Sequence, residues 1–242
     1  MGEHRGDPPA TAEHAAAVAD ARAALAGSSG QPLGPLPTGF ATTRAAMHRV
    51  AEEVLKPRRE AETGNEIALR FTSGGFGTPP WETGLVSGRS GQLRVEGLEL
   101  VATDGDELHR ERLADPSPDA DSAAALAAWF AFGTVALADL VDLHGDLEPA
   151  PIRLWPEHFD VATDLGPEDV GTRATFGASP GDEHHPEPYL YVGPWAAPAT
   201  DAGWNATGFN GAELTYAELL GADDQLGAAA AFFADRLAAL RG

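Results

Sequence analysis

One stretch limits what this chain can become. From Ser122 to about Leu143, the large apolar residues Leu126, Trp129, Phe130, Leu137, Leu140 and Val141 recur at helical spacing, and the remaining faces are mostly alanine. A helix apolar on every side must be covered on every side. The rest of the chain therefore has to wrap it. Pro116 to Asp121 interrupts the pattern just before, and Ser122 is a fitting cap.

The flanking segments supply the wrapping. Phe40 to Lys56 is a second helix, with Ala46, Met47, Val50, Val54 and Leu55 at helical spacing and Pro57 as its stop. The period then drops to two, and Ile67, Leu69 and Phe71 alternate through a strand ending at Thr72. Strands at Gln92–Val95, Leu98–Thr103 and Glu107–Leu113, turned by Glu96-Gly97 and Asp104-Gly105, make an antiparallel meander. Beyond the long helix come short strands near Ile152–Leu154, His158–Thr163, Thr172–Phe176 and Tyr189–Val192, then a helix from Gln225 to Leu240. The fold class is α+β, with antiparallel meanders packed on three main helices. The order helix, strands, helix, strands, helix suggests two similar halves. The two periodicities nominate a core of Leu69, Phe71, Leu126, Trp129, Phe130, Leu137, Phe159, Val161, Leu190 and Phe233.

The N-terminal end reads differently. Residues 1–9 are polar, Ala10 to Ala26 is an alanine-rich helix with Thr11 as cap and Gly27 as stop, and Ser28 to Pro37 is a Gly/Pro/Ser connector. The thin apolar face (Ala15, Val18, Ala21, Leu25) marks residues 1–36 as a flexible arm and 37–242 as a single domain.

Charge and cysteine content remove several function classes. Thirty-seven acids against sixteen bases leave a formal net charge of −21, which repels phosphate backbones and anionic lipid. Nucleic acid and membrane are thus not expected partners, whereas metal ions, cationic ligands and basic proteins are favoured. The absence of cysteine excludes disulfides, thiolate nucleophiles and thiolate metal sites. No signal pattern is seen at Met1 to Asp20 and no apolar run is read as a membrane span, so a cytoplasmic, soluble protein is expected. Oligomeric state is not legible.

Three segments carry a resemblance. Trp155-Pro-Glu-His-Phe-Asp-Val161, Phe176-Gly-Ala-Ser-Pro-Gly-Asp182 and Pro186-Glu-Pro-Tyr-Leu-Tyr-Val192 resemble a family of uncharacterised bacterial proteins, over residues 38–240. The resemblance implies one continuous unit; it brings no activity and no site residue with it.

Several motifs bear on chemistry. Ser73 to Trp81 is rich in glycine but lacks the Gly-Lys-Ser/Thr ending of a phosphate loop. A strand-end loop with Phe76 and Trp81 tucked onto the sheet is the better reading. Gly177-Ala178-Ser179-Pro180-Gly181 has nucleophile-elbow spacing, yet Pro180 offers no N–H to an oxyanion and no apolar helix follows. The densest polar cluster is His158 and Asp160, two apart on a predicted strand and so on one face, with Asp182, Glu183, His184, His185 and Glu187 in the loop before the next strand. Imidazole and carboxylate together suit zinc or another divalent ion. The expected ligand set is His158, Asp160, Glu183, His184, His185 and Glu187, with at most one of the adjacent His184 and His185 facing a shared centre. A structural His158–Asp160 pair beside a solvated acidic loop weighs more than a metal, and a metal-free acid–base site is a third reading. Tyr189, Tyr191, Trp195, Trp204 and Phe209 suit a pocket for a cationic or aromatic ligand, although sheet packing is the commoner reason for alternating tyrosines. His48 and His109 have no convergent partners in sequence and read as structural.

Two function classes follow. The first is a protein that binds a small ligand or depends on a divalent metal, catalysis included, with its site between the second-half strands and the 73–81 loop. The second is a non-catalytic interaction protein whose acidic surface meets a basic partner.

Overall fold

The computed structural model describes residues 12–26, 31–65, 68–197 and 202–242. In chain order these form helices α1 (Ala12–Leu25), α2 (Phe40–Val50) and α3 (Lys56–Thr63); strands β1 (Arg70–Thr72), β2 (Gly75–Gly77), β3 (Gly91–Glu96), β4 (Glu99–Asp104) and β5 (Glu107–Arg112); and the long helix α4 (Ala120–Leu143). Strands β6 (Arg153–Trp155), β7 (Asp160–Leu165), β8 (Ala174–Ser179), β9 (Tyr189–Pro194) and β10 (Ala212–Thr215) follow, then helices α5 (Tyr216–Gly221) and α6 (Gln225–Arg241). The expected α+β class holds.

Each half is one antiparallel meander of five strands, ordered β1-β2-β3-β4-β5 and β6-β7-β8-β9-β10. Among the described residues the two meet at a single bridge, where Leu69 and Leu154 exchange N–H···O bonds of 2.9 and 2.8 Å. Helix α4 lies across this seam, touching β1 and β2 on one side and β7 and β8 on the other, while α1, α2 and α6 cover its remaining faces. All ten nominated core residues are buried. Phe76 of β2 and Phe130 of α4 both meet Phe159 edge-on, at 5.0 and 5.1 Å between ring centroids. These contacts tie the first meander, the helix and the second meander into one core.

Four expectations need correction. Pro57 does not end the second helix: a π-helical turn at Ala51–Leu55 intervenes, and the chain continues as α3 with Pro57 in its first turn. The wider turn accommodates a residue with no N–H to give. The stop comes instead at Gly64, in the left-handed conformation with φ 69°. The cap of α4 is Asp119, whose carboxylate accepts the Ser122 N–H at 2.9 Å; the Ser122 side chain itself is buried. Helix α4 is also long and apolar enough, by length and composition, to cross a membrane, and 67% of its apolar window is buried inside the fold. Finally, β2 falls within the expected 73–81 loop and β10 and α5 within a stretch to which no element was assigned, although Phe76 and Trp81 do tuck in as expected. Ile67, Thr11 and Gly27 lie outside the described residues.

Within the stretch expected to form an arm, Ala17 and Ala21 are buried and α1 runs along α4. The Leu33 N–H donates to Gln225 Oε1 at 2.8 Å and the Leu33 carbonyl accepts from Gln225 Nε2 at 3.1 Å. Removing residues 1–36 would unpair Gln225 and uncover one side of α4. Thermal melting is expected to fall in that deletion, and an unchanged melt would make the stretch an appendage.

A second prediction concerns the contact between α4 and β8. In an open helix Gly→Ala is favourable by about 1 kcal/mol. At Gly133 an added Cβ would come 2.5 Å from the Ala178 Cβ. Gly133→Ala is therefore expected to destabilise by about 1–3 kcal/mol in denaturant unfolding. A gain in stability would show that α4 is not pressed onto β8.

Candidate functional site

Alternation along the second meander sends one set of side chains to the core and the other to the outer face. Val161, Phe176, Ala178, Leu190 and Val192 point inward and are buried. The outer set falls into rows across the strands. Trp155 pairs with Asp160, and Ser179 with Tyr189; the next row runs Ala162, Gly177, Tyr191, Glu213. A third holds Asp164, Thr175 and Gly193. Over this face lies a cavity of about 760 Å³, walled by Tyr189, Tyr191, Phe209, Trp155 and Trp195.

Gly177 makes the central contact possible. A Cβ there would lie 2.4 Å from the Tyr191 ring. With none present, Tyr191 lies across β8 and its hydroxyl donates to Asp160 Oδ2. Asp160 is only 6% exposed, and its Oδ1 is closed to solvent with no hydrogen-bond partner among the described residues. Burial pushes the Asp160 carboxyl up, against the opposing influence of the Tyr191 hydrogen bond, of His158, of its own backbone N–H and of His48. Burial, with the Asp160 charge beside it, also pushes the Tyr191 phenol well above its ordinary value.

The rim of the pocket is held by a residue that sequence reasoning missed. Arg44, largely buried on α2, donates to the carbonyls of Pro180, Asp182 and Pro186 at 3.4, 2.8 and 2.8 Å. Three carbonyls converging on one guanidinium fix the loop 180–187. Gly181, at φ 85°, is the residue that lets the chain turn there; a Cβ would meet the His185 carbonyl at 2.4 Å. Asp182 accepts the N–H groups of His184 and His185 at 2.7 and 2.8 Å. Burial works against the Asp182 charge, but these bonds prevail and hold the carboxyl below the usual range.

The six expected ligand residues divide. His158, Asp160, His184 and His185 line the one pocket. His158, however, lies in the turn before β7 rather than on the strand, because Phe159 adopts φ 55° and breaks the alternation. Glu183 and His184 pair with each other at 3.4 Å while 86% and 87% exposed. His185 packs on Tyr189 at 4.1 Å, its Nδ1 bonds the Glu187 carbonyl, and its Nε2 lies 3.7 Å from Glu213. Among the described residues no three His, Asp or Glu side chains come together as a group that could hold a metal ion. His48 stacks on Phe159 at 5.1 Å and bonds the Pro156 carbonyl, and His109 pairs with Glu107 on the exposed strand β5.

Ser179 also lines the pocket, but it ends β8, accepts the Gly181 N–H and is followed by a loop, so no nucleophile elbow forms. Asp164 and Glu213, not singled out from sequence, join the floor. Asp164 was readable, being four residues from Asp160 on an alternating strand; Glu213 lies on a strand that was not recognised. What the arrangement can do is accept a cation, hold or pass a proton between Asp160 and Tyr191, and stack a flat group on its aromatic wall.

Two predictions follow. The unfolded carboxyl of Asp160 titrates in the ordinary range, and the folded one keeps its proton to higher pH. Its contribution to stability is thus complete below the ordinary range and is lost as pH rises through the raised folded value. Asp160→Asn keeps an acceptor for Tyr191 and escapes this loss. Its melting temperature relative to wild type should rise from acid to alkaline pH; a difference independent of pH would mean that the buried carboxyl carries no titration penalty. Arg44→Met leaves three carbonyls without their donor, and bonds to a charged donor contribute about 1.5–3 kcal/mol each. Amide exchange at His184 and His185 should accelerate in that variant while exchange in α4 stays slow. Comparison with protein-family models, curated proteins and solved structures found no match to this chain, so the site is defined by its own geometry.

Proposed function

We propose that this protein binds a small organic molecule in the pocket on the outer face of the second meander. Asp160 carries the reading. A buried carboxyl with an unpaired oxygen costs stability, and a purely structural carboxyl would be expected to have a donor at both oxygens. The setting fits the same reading, since a concave site of about 760 Å³ with an aromatic wall and a few polar groups is the usual form of a small-ligand site. A divalent-metal variant has thinner support, because the imidazoles and carboxylates present do not gather into one ligand group. The acidic surface as a docking face for a basic partner has no comparable local feature behind it.

The test is a fragment screen on the full chain, with neutral, anionic and cationic compounds and amide chemical shifts as the readout. Shifts are expected to cluster on β7, β8 and β9. A screen in which nothing perturbs those strands removes the reading. Zinc titrated calorimetrically into chelator-treated protein addresses the metal variant, since tight binding abolished by His158→Ala would favour it over an organic ligand.

A further inference from the structure

Resting on that reading, we infer that the pocket's ligand is an organic monocation, a primary or secondary ammonium carried on a flat apolar body. The first ground is charge. Asp160, Asp164, Asp182 and Glu213 line the cavity and, among the described residues, no lysine or arginine does, in a chain whose net charge is −21. These four carboxylates oppose an anionic ligand, whereas the low-dielectric floor strengthens their attraction for a cation.

The second ground is which acceptors are free. Asp182 Oδ1 already accepts two backbone N–H groups, and Asp164 Oδ1 accepts the Thr175 hydroxyl at 2.7 Å. Asp160 Oδ1 has no donor among the described residues. Asp160 lines the cavity although its Oδ1 is closed to solvent, and the terminal torsion of a carboxyl is soft, so a turn about it can bring an oxygen to the cavity. An ammonium N–H arriving there would satisfy this buried acceptor and turn a destabilising charge into half of an ion pair.

The third ground is the aromatic wall, which decides between kinds of cation. Tyr189, Tyr191 and Phe209 stand with centroids 6.1 to 6.4 Å apart, within the range of rings in mutual contact. They leave no cage between them for a trimethylammonium group. They offer a continuous surface instead, suited to the apolar body of the ligand while the N–H donors reach Asp160.

The experiment compares phenethylamine with 2-phenylethanol, phenylacetate and trimethyl(phenethyl)ammonium, titrated into the full chain in an amine-free buffer at mildly alkaline pH. The amine is expected to bind about tenfold or more tighter than the alcohol. The carboxylate should be weakest, and the quaternary ion weaker than the amine. Asp160→Asn should abolish the preference for amine over alcohol while still binding the alcohol, and Asp164→Asn, which leaves the free acceptor in place, should retain most of it. Equal binding of amine and alcohol, or a preference that survives Asp160→Asn, overturns the cation inference and leaves the ligand-binding reading intact. A quaternary ion binding tighter than the amine overturns the hydrogen-bonded ammonium. No binding of any compound, together with a silent fragment screen, overturns both.

Discussion

The need to cover α4 on every side organises the molecule. Two thirds of its apolar window is buried, with α1, α2 and α6 taking three directions and the inner faces of both meanders the other. Trp129, Phe130, Phe132 and Leu137 are essentially inaccessible as a result. The contact is close enough that Gly133 opposes Ala178 with no space for another methyl. Once the inner face of the second meander is committed to this core, polar chemistry on that sheet can occur only on its outer face. The same constraint makes that face a firm platform, since each strand beneath the pocket is held from behind by packed side chains.

On this platform the pocket is assembled from compensating local choices. Gly177 gives up a side chain so that Tyr191 can cross it, and Tyr191 in turn fixes one oxygen of Asp160. Arg44 reaches from the helical layer to hold the loop that closes one end, which couples the pocket's rim to α2 rather than to its own sheet. The second oxygen of Asp160 is left out of this compensation, and a buried acceptor without a donor calls for a partner from outside the fold, a water, an ion or a ligand.

Much of the architecture was legible because it depends on periodicity. The heavy spacing around Trp129 and Leu137 announced a buried helix, and the turns at Gly97 and Gly105 announced the first meander. What escaped were features decided by tertiary contact. The π turn before Pro57 lets a helix pass a residue that ordinarily ends one, and the short strand β10 is held by its pairing with β9 more than by its own composition. At the site, His158 and Asp160 both line the pocket, but not by the shared strand face expected from sequence, because Phe159 turns through positive φ and the strand begins only at Asp160. The carboxyl's partner is Tyr191, thirty-one residues away, and nothing local to Asp160 names it. A buried arginine that binds backbone carbonyls has no sequence signature at all, since its partners contribute no side chains.

The seam between the meanders has a mechanical consequence. Among the described residues, two main-chain hydrogen bonds, at Leu69 and Leu154, are all that joins one sheet directly to the other through the backbone. They offer little resistance to shear, and α4 acts as the splint that keeps the two halves aligned. Trp155 and His158 stand immediately beyond the seam on the pocket side. A slide of one sheet past the other would therefore alter the mouth of the pocket, since two of its lining residues follow directly on the joint.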